Sequence, residues 1–279
     1  MIRNHAALFG ISLSLIISVV WANDIRALPD GAPTRQINLP NGLQEISGLA
    51  VASENSVYAH NDEFAIIYEI DLETGEVPVA FAMGDPTARG DFEGITTANG
   101  RVYLITSTGL IYESPIGAHR QRVRFNIYDT GTSDLCEVEG LTTGPTPGEF
   151  LILCKTALQP ELTHRLIIYR WNIFDRSPVT GPWLSIPYTE LLEDAEFENF
   201  RPSAIERNHD DNSFVILSAR NGIFLVLESN GALASKRRLR RDVHPQAEGV
   251  AIMPSGELII ADEGAKRGVG KLAIFNHAD

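Results

Sequence analysis

The sequence lacks the short motifs by which several enzyme classes are recognised. No Gly-x-Ser-x-Gly segment marks a serine hydrolase, and no glycine-rich loop of the kind that holds phosphate groups is present. The seven histidines are scattered, and none has the spacing to another ligand that a zinc site requires. A serine hydrolase, a nucleotide-binding enzyme and a zinc enzyme are therefore not predicted.

Basic residues are also scarce in this chain. Lysine and arginine number 23 against 36 acidic residues, which gives a formal net charge of −13. Such a surface repels nucleic acid and anionic lipid, so no nucleic-acid partner is expected. The single basic block, residues 236–241, is interpreted as an exposed outer strand rather than as a polyanion patch.

Long apolar runs are missing after the N-terminus. Arg3 and His5 precede the apolar run 6–21, and Val20-Trp21-Ala22 has the small residues that signal peptidase prefers. We expect residues 1–22 to be a signal peptide and residues 23–279 a single periplasmic or secreted domain without an integral membrane segment. An uncleaved N-terminal membrane anchor is the alternative.

Cysteine occurs only twice, at Cys136 and Cys154. An exported protein with an even number of cysteines is expected to form a disulfide. The pair flanks a hairpin loop at 144–148, and symmetrical pairing about Pro145 would place the two residues opposite each other. The register of the other repeats would leave them about three residues out of step, which is too far for a bridge. A disulfide is predicted, and both registers stay open.

What the sequence does contain is an internal repeat. Five related segments have third positions 46, 46, 64 and 45 residues apart, which places an insertion in the third unit around 157–200. The segments are Glu45–Ala50, Asp91–Thr96, Glu137–Thr142, Arg201–Glu206 and Gln246–Ala251. Each is followed by a turn and then by two short apolar strands, which indicates repeated hairpins.

A repeat of about 45 residues that holds four strands is typical of a β-propeller blade. The fifth unit ends after its third strand, at Phe275, and a strand near 35–39 has no blade of its own. That N-terminal strand is predicted to supply the missing outer strand and to close the ring. The sequence therefore predicts an all-β, five-bladed β-propeller. A six-bladed ring would require a blade made from the insertion.

The segments 91–96, 137–142 and 246–251 resemble the SdiA-regulated domain family, as does the stretch 57–69 with its acidic turn before an aliphatic strand. The resemblance covers about residues 40–276. More distantly, the chain is similar to NHL-repeat proteins and to the domain family called esterase-like activity of phytase. This resemblance implies a five-bladed propeller and a calcium-binding site. The fourth unit departs from the pattern at Arg201 and Ala204.

The first strand of each blade lines the central channel of a propeller, and ligands bind at its mouth. The third positions therefore form a ring of three carboxylates and two hydroxyls. We predict that Glu93, Glu139, Glu248 and Asp262 bind a metal ion. Calcium is the expected cofactor, because it accepts carboxylate oxygens in irregular geometry. In the alternative interpretation each glutamate only joins its blade to the next one.

The same mouth is predicted to bind a ligand through neighbouring side chains of the first and second strands. These are Glu45, Ser47, Asp62, Glu137, Lys155, Ser203 and Arg220. The predicted function is a calcium-binding module for an unknown small molecule or protein partner. The alternative is a metal-dependent hydrolase of the phosphoesterase or lactonase type, in which Lys155 or Arg220 meets an anionic substrate.

Overall fold

A computed structural model of the chain describes residues 31–264 and 268–276, so the predicted signal peptide lies outside the described residues. The described residues form a ring of five blades around a central channel. This confirms the predicted five-bladed β-propeller over the six-bladed alternative. Within the described ranges no helix is long and apolar enough to span a membrane.

Each blade is a sheet of four or five strands, antiparallel except for one short edge pairing. The first blade contains β2 (Ile46–Val51), β3 (Ser56–Asn61), β4 (Ile66–Asp71), β5 (Val79–Met83) and the short edge strand β9 (Arg122–Val123). The second contains β6 (Phe92–Ala98), β7 (Arg101–Thr106), β8 (Leu110–Pro115) and β10 (Asn126–Asp129). The third contains β11 (Cys136–Thr143), β12 (Glu149–Ala157), β13 (Arg165–Asn172) and β14 (Leu184–Pro187).

The remaining two blades follow the same order from the channel outwards. The fourth contains β15 (Ala204–Arg207), β16 (Phe214–Ser218), β17 (Ile223–Leu227) and β18 (Leu233–Arg238). The fifth contains β19 (Ala247–Ile252), β20 (Leu258–Asp262), β21 (Lys271–Phe275) and, as its outer strand, β1 (Arg35–Asn38). Short 3-10 helices span Asn41–Leu43, Pro160–Leu162, Tyr188–Glu190 and Asp194–Asn199.

The core lies between the blades. Every residue of β16 and β17 is buried, because both faces of the sheet are covered by neighbouring blades. Among the described residues, the apolar side chains fall into five clusters, one at each junction between adjacent blades. At one junction the Tyr103 ring packs against Phe150 with centroids 4.7 Å apart, so aromatic side chains contribute to the contact between the second and third blades.

The ring is closed by the two ends of the described chain. β1 pairs antiparallel with β21, from Arg35 opposite Ile274 to Asn38 opposite Lys271. The predicted closure by an N-terminal outer strand is therefore confirmed. It covers the edge of the last blade, which would otherwise expose unpaired backbone groups.

The basic block forms the outer strand β18 and its flank, as predicted, but it is not simply solvated. Lys236 Nζ lies 3.0 Å from Glu196 Oε2, and Arg238 also bonds to Glu196. Glu196 belongs to the 3-10 helix that precedes the fourth blade. The long third unit and the fourth blade are thus joined by ion pairs at the periphery of the ring.

Candidate functional site

In four of the five repeated segments the third position is the extra residue of a β-bulge. In β6 the register with β7 shifts between Phe92 and Gly94, which leaves Glu93 without a partner in the ladder. Equivalent shifts leave out Ser47, Glu139 and Glu248, whereas Ser203 stands immediately before β15. A bulge turns its extra residue away from the regular strand face, and here these side chains line the channel axis.

The glycine after the bulge allows the inner strands to approach one another. A Cβ on Gly94 would lie 2.6 Å from the backbone nitrogen of Leu141 in the next blade, and one on Gly140 would lie 3.0 Å from Ile205 Cγ2. A larger side chain would therefore separate neighbouring blades. The Glu-Gly pair thus combines a channel-facing carboxyl with the close packing that narrows the channel.

We call the five channel-facing third positions the upper ring: Ser47, Glu93, Glu139, Ser203 and Glu248. They line a cavity of about 10 Å³, room for about one water molecule. The two hydroxyls differ in role. Ser47 Oγ donates to Glu93 Oε2 over 3.3 Å, whereas Ser203 Oγ donates to the carbonyl of Ala247 over 2.7 Å and joins two blades. Ser203 therefore acts as a structural joint.

Burial raises the pKa of each ring carboxyl. The pKa of Glu93, Glu139 and Glu248 is raised to about 8 in each case, with removal from water as the largest cause. Mutual repulsion among the carboxylates acts in the same direction, because Glu139 raises the pKa of Glu93. The ring is therefore a site where added positive charge would be stabilising.

Lys155, at the end of β12, supplies part of that charge. Its ammonium lies 3.0 Å from Glu139 Oε1 and 3.5 Å from Glu137 Oε1. These carboxylates raise the pKa of Lys155 above its usual value, against the opposing effect of burial. The other carboxyl oxygen of Glu139, Oε2, is buried without a hydrogen-bond partner, and the residue is only 7% exposed. One lysine therefore leaves an acceptor in the ring unsatisfied.

The rim above the upper ring is acidic. Burial, and then repulsion by Glu45, raises the pKa of Asp62, whose Oδ1 atom is buried without a partner. The pKa of Glu263 is raised by burial and by the charges of Glu45 and Asp62. The predicted ligand residues Glu45, Asp62, Glu137 and Lys155 thus surround the same mouth as the ring.

Two of the predicted site residues lie elsewhere. Asp262 does not line the axial cavity. Its Oδ2 is 2.7 Å from His244 Nδ1, and its Oδ1 accepts the backbone N–H of Gln246 over 3.2 Å. Arg220 is exposed in the loop after β16, and its carbonyl accepts a hydrogen bond from Arg241. Asp262 is thereby engaged in a buried pair that fixes the start of the fifth blade.

The cysteines form a disulfide in the structure, with Cα atoms 5.8 Å apart. The observed register differs from symmetrical pairing: Cys136 lies opposite Ala157 and Cys154 opposite Val138. The bulges in β11 and β12 nevertheless bring the two residues together as diagonal neighbours. The expectation that this register would prevent a bridge was therefore wrong. The bridge immediately precedes Glu137 and Lys155 in the two strands.

The donor set of the upper ring is chemically suited to a hard cation such as Ca²⁺, because it consists of carboxylate and hydroxyl oxygens. Within residues 31–264 and 268–276, however, no three or more His, Cys, Asp or Glu side chains are arranged so that they could hold a metal ion. A cation at the ring would therefore require side-chain movement and further oxygen donors from water or a ligand.

Sequence reasoning missed the opposite mouth of the channel. There, where the inner strands end, a cavity of about 320 Å³ is lined by Glu206, His209 and several threonine and apolar side chains. We call it the lower cavity. A signal was present in the sequence: the fourth segment has Ser203 at the ring position and Glu206 three residues later, where the other segments have alanine or threonine.

No family model and no curated protein sequence matches the chain. Solved structures do match. A luciferin-regenerating enzyme aligns over 87% of this chain and 95% of its own, with a TM-score of 0.54 at 7% identity. A PQQ-bound aldose sugar dehydrogenase from Streptomyces coelicolor aligns over 88% and 100%, with a TM-score of 0.54 at 14% identity. At these identities the likeness shows a β-propeller fold and nothing finer.

Proposed function

We propose that the protein is an exported binding propeller of the SdiA-regulated type, whose upper mouth binds a calcium-class cation together with a ligand or partner. The observation that carries the proposal is the buried, unpartnered Glu139 Oε2 among three ring carboxyls. Buried carboxyls repel one another unless they take up protons or a cation. Lys155 compensates for only part of this charge.

The remaining oxygen donors would come from the acidic rim and from the ligand. Asp62 and Glu263 have raised pKa values because burial and neighbouring acids disfavour their charged forms. A cation at the mouth would lower these pKa values, and a carboxylate or phosphate group of a ligand would complete its coordination. Export is supported by the charged, apolar N-terminus and by the disulfide, which is typical of an oxidising compartment.

Calorimetric titration of Ca²⁺ into chelator-treated protein at pH 7 tests the proposal. We expect binding with proton release, because the ring carboxyls with pKa values of about 8 lose protons to the buffer. Proton release is measured by repeating the titration in buffers of different ionisation enthalpy. Glu93→Gln and Glu139→Gln should each weaken binding by about tenfold or more.

Glu206→Gln is the matched control, since Glu206 is also a buried channel carboxyl but lies at the other mouth. Unchanged affinity in Glu206→Gln is expected. An equal loss in all three variants would show that the ring acts through overall stability. The absence of both heat and any rise in melting temperature would eliminate the cation site.

A hydrolase remains the second candidate because of a pocket beside Lys155. This pocket, of about 240 Å³, lies between the third and fourth blades and is lined by Arg165, Arg201, Tyr188 and Phe197 among others. Cationic and aromatic groups next to a cation site would suit an anionic substrate. Phosphoesters and lactones should be screened with and without Ca²⁺. Metal-dependent turnover that Arg201→Met abolishes would favour the hydrolase.

A further inference from the structure

The lower cavity is built by the same five inner strands as the upper ring, but from residues three and four positions further along. Its walls include Val51 of the first blade and Ile252 and Met253 of the fifth, together with Thr97 and Thr143. At about 320 Å³ it falls at the lower end of the size range of small-molecule pockets, about 300–1,000 Å³. The size and the largely apolar walls suit a small organic molecule.

Glu206 is the distinctive residue of this cavity. It is 7% exposed, and its Oε2 accepts a hydrogen bond from Thr142 Oγ1 over 3.0 Å. A buried carboxyl normally has a cationic partner or is replaced by an apolar residue. In the wall of a cavity it can instead meet a bound molecule.

The guanidinium of Arg207, the residue after Glu206, forms its hydrogen bonds with other groups. Arg207 donates from Nε to the carbonyl of Thr143 over 2.9 Å and from Nη1 to Asn212 Oδ1 over 2.7 Å. Its Nη2 lies 2.8 Å from His209 Nδ1. The guanidinium therefore fixes the loop after β15, whereas Glu206 accepts its side-chain hydrogen bond from the hydroxyl of Thr142.

The charges that face Glu206 leave the cavity nearly neutral at pH 7. Burial raises the pKa of Glu206 to about 8, although Thr142 and Arg207 act in the opposite direction. Burial and the Arg207 charge lower the pKa of His209, so its imidazole is neutral. Asp210 is exposed at the rim. Glu206 then carries a proton and can donate a hydrogen bond.

We propose that the lower cavity is a binding site for a small uncharged molecule, which presents a carbonyl or ether oxygen to Glu206 and an apolar face to the first and fifth blades. A charged ligand is disfavoured, because an ion loses its hydration in a largely apolar cavity, while Glu206 is uncharged and the guanidinium of Arg207 is already engaged. This site is separate from the cation site proposed at the upper mouth.

Saturation-transfer NMR with cyclohexanone, δ-valerolactone and tetrahydropyran tests the proposal, with butylammonium and butyrate as charged counterparts. At pH 7 we expect an uncharged probe to bind, and the affinity to fall by about tenfold when the pH rises from 7 to 9.5. The sign follows from Glu206, which loses its donated proton as the pH passes about 8. Binding of butylammonium or butyrate at pH 7 that equals or exceeds the binding of all three uncharged probes would overturn the proposal.

Two substitutions of Glu206 separate hydrogen bonding from packing. Glu206→Gln keeps a donor that does not titrate, so binding should persist and lose its pH dependence. Glu206→Leu removes the donor and should weaken binding by about tenfold at pH 7. Persistence of the pH dependence in Glu206→Gln would show that another group is responsible and would overturn the assignment.

Val51→Phe fills the cavity from the first blade and should abolish binding. This variant, together with the pH profile of the parent protein, decides the matter if Glu206→Leu does not fold. Glu93→Gln at the upper ring should leave probe binding unchanged, so failure at one mouth is distinguishable from failure at the other. Absence of binding by all three uncharged probes, or binding that survives Val51→Phe, would exclude the site.

Discussion

The two ends of the same five inner strands hold their carboxyl groups in opposite ways. At the upper mouth Glu93, Glu139 and Glu248 lie together, and their pKa values are raised by burial and by one another. At the lower mouth the buried carboxyl is Glu206, with Asp210 exposed at the rim, and burial raises the pKa of Glu206. A shared cation can relieve crowding of like charges, whereas an isolated buried carboxyl is most simply accommodated by a proton.

Removal of the disulfide should have the largest effect on stability. The disulfide directly precedes Glu137 and Lys155, so its removal should affect the upper mouth and not the lower cavity. Replacing both residues in the variant Cys136→Ser/Cys154→Ser should lower the free energy of unfolding by about 3 kcal/mol, from the lost constraint on the unfolded chain. Urea denaturation measures this change. Binding of the uncharged probes in the lower cavity should be retained. If the variant loses both this binding and Ca²⁺ binding at the upper mouth, the two mouths are not independent.

Removal of the lysine should have the next largest effect. Lys155→Met leaves Glu139 and Glu137 without their counter-ion, and we expect a loss of about 2 kcal/mol in the free energy of unfolding at pH 9. At pH 5.5 the loss should be small, because Glu139, with its raised pKa, takes up a proton instead. Denaturation curves at the two pH values check the sign.

Arg170→Met is the control for that experiment, since Arg170 Nε lies 3.6 Å from Glu149 Oε1 and 47% of the Arg170 side chain is exposed. Its effect should stay below about 1 kcal/mol at both pH values. If Lys155→Met also lowers the free energy of unfolding by less than about 1 kcal/mol at both pH values, the upper ring does not depend on an internal counter-ion. The proposed electrostatic difference between the two mouths would then be wrong.

The smallest predicted effect concerns the hydrogen bond from Thr142 to Glu206 in the lower cavity. Thr142→Val removes the hydroxyl that donates to Glu206 while keeping the shape of the side chain, at an expected cost of about 1 kcal/mol in unfolding free energy. The pKa of Glu206 should rise further, because this bond stabilises its ionised form. Carboxyl titration by carbon-13 NMR measures the shift. Thr97→Val, which removes a bond to the Val51 carbonyl, should leave that pKa unchanged.

Much of the fold could be predicted because the repeat is local. Hairpin signals such as Asn99-Gly100, whose φ angles of 51° and 70° are both positive, recur at regular intervals after each Glu-Gly segment. The unpaired strand near residue 35 and the missing strand after Phe275 together predicted the closure. The upper ring followed from aligning the third positions, because equivalent positions in a propeller face the same axis.

The other features of the site depend on contacts that a comparison of the five repeated segments cannot show. His244 binds Asp262 through a loop conformation, and the bulges that bring Cys136 to Cys154 shift the strand register locally. Glu206 could not be predicted from the repeat, because a glutamate occurs at this position in one blade and not in the other four. In a repeat protein an isolated departure from the pattern is as informative about binding as the pattern itself.

Because β1 pairs with β21, the ring can close only after the last strand has been synthesised. The hydroxyl of Thr34 donates to the carbonyl of Ile274, which is 240 residues away in the chain. During synthesis β1 therefore leaves the ribosome long before β21, its partner strand. Until the last strand emerges, a nascent chain carries exposed strand edges that invite intermolecular association. Such a protein would benefit from a chaperone that shields those edges until synthesis is complete.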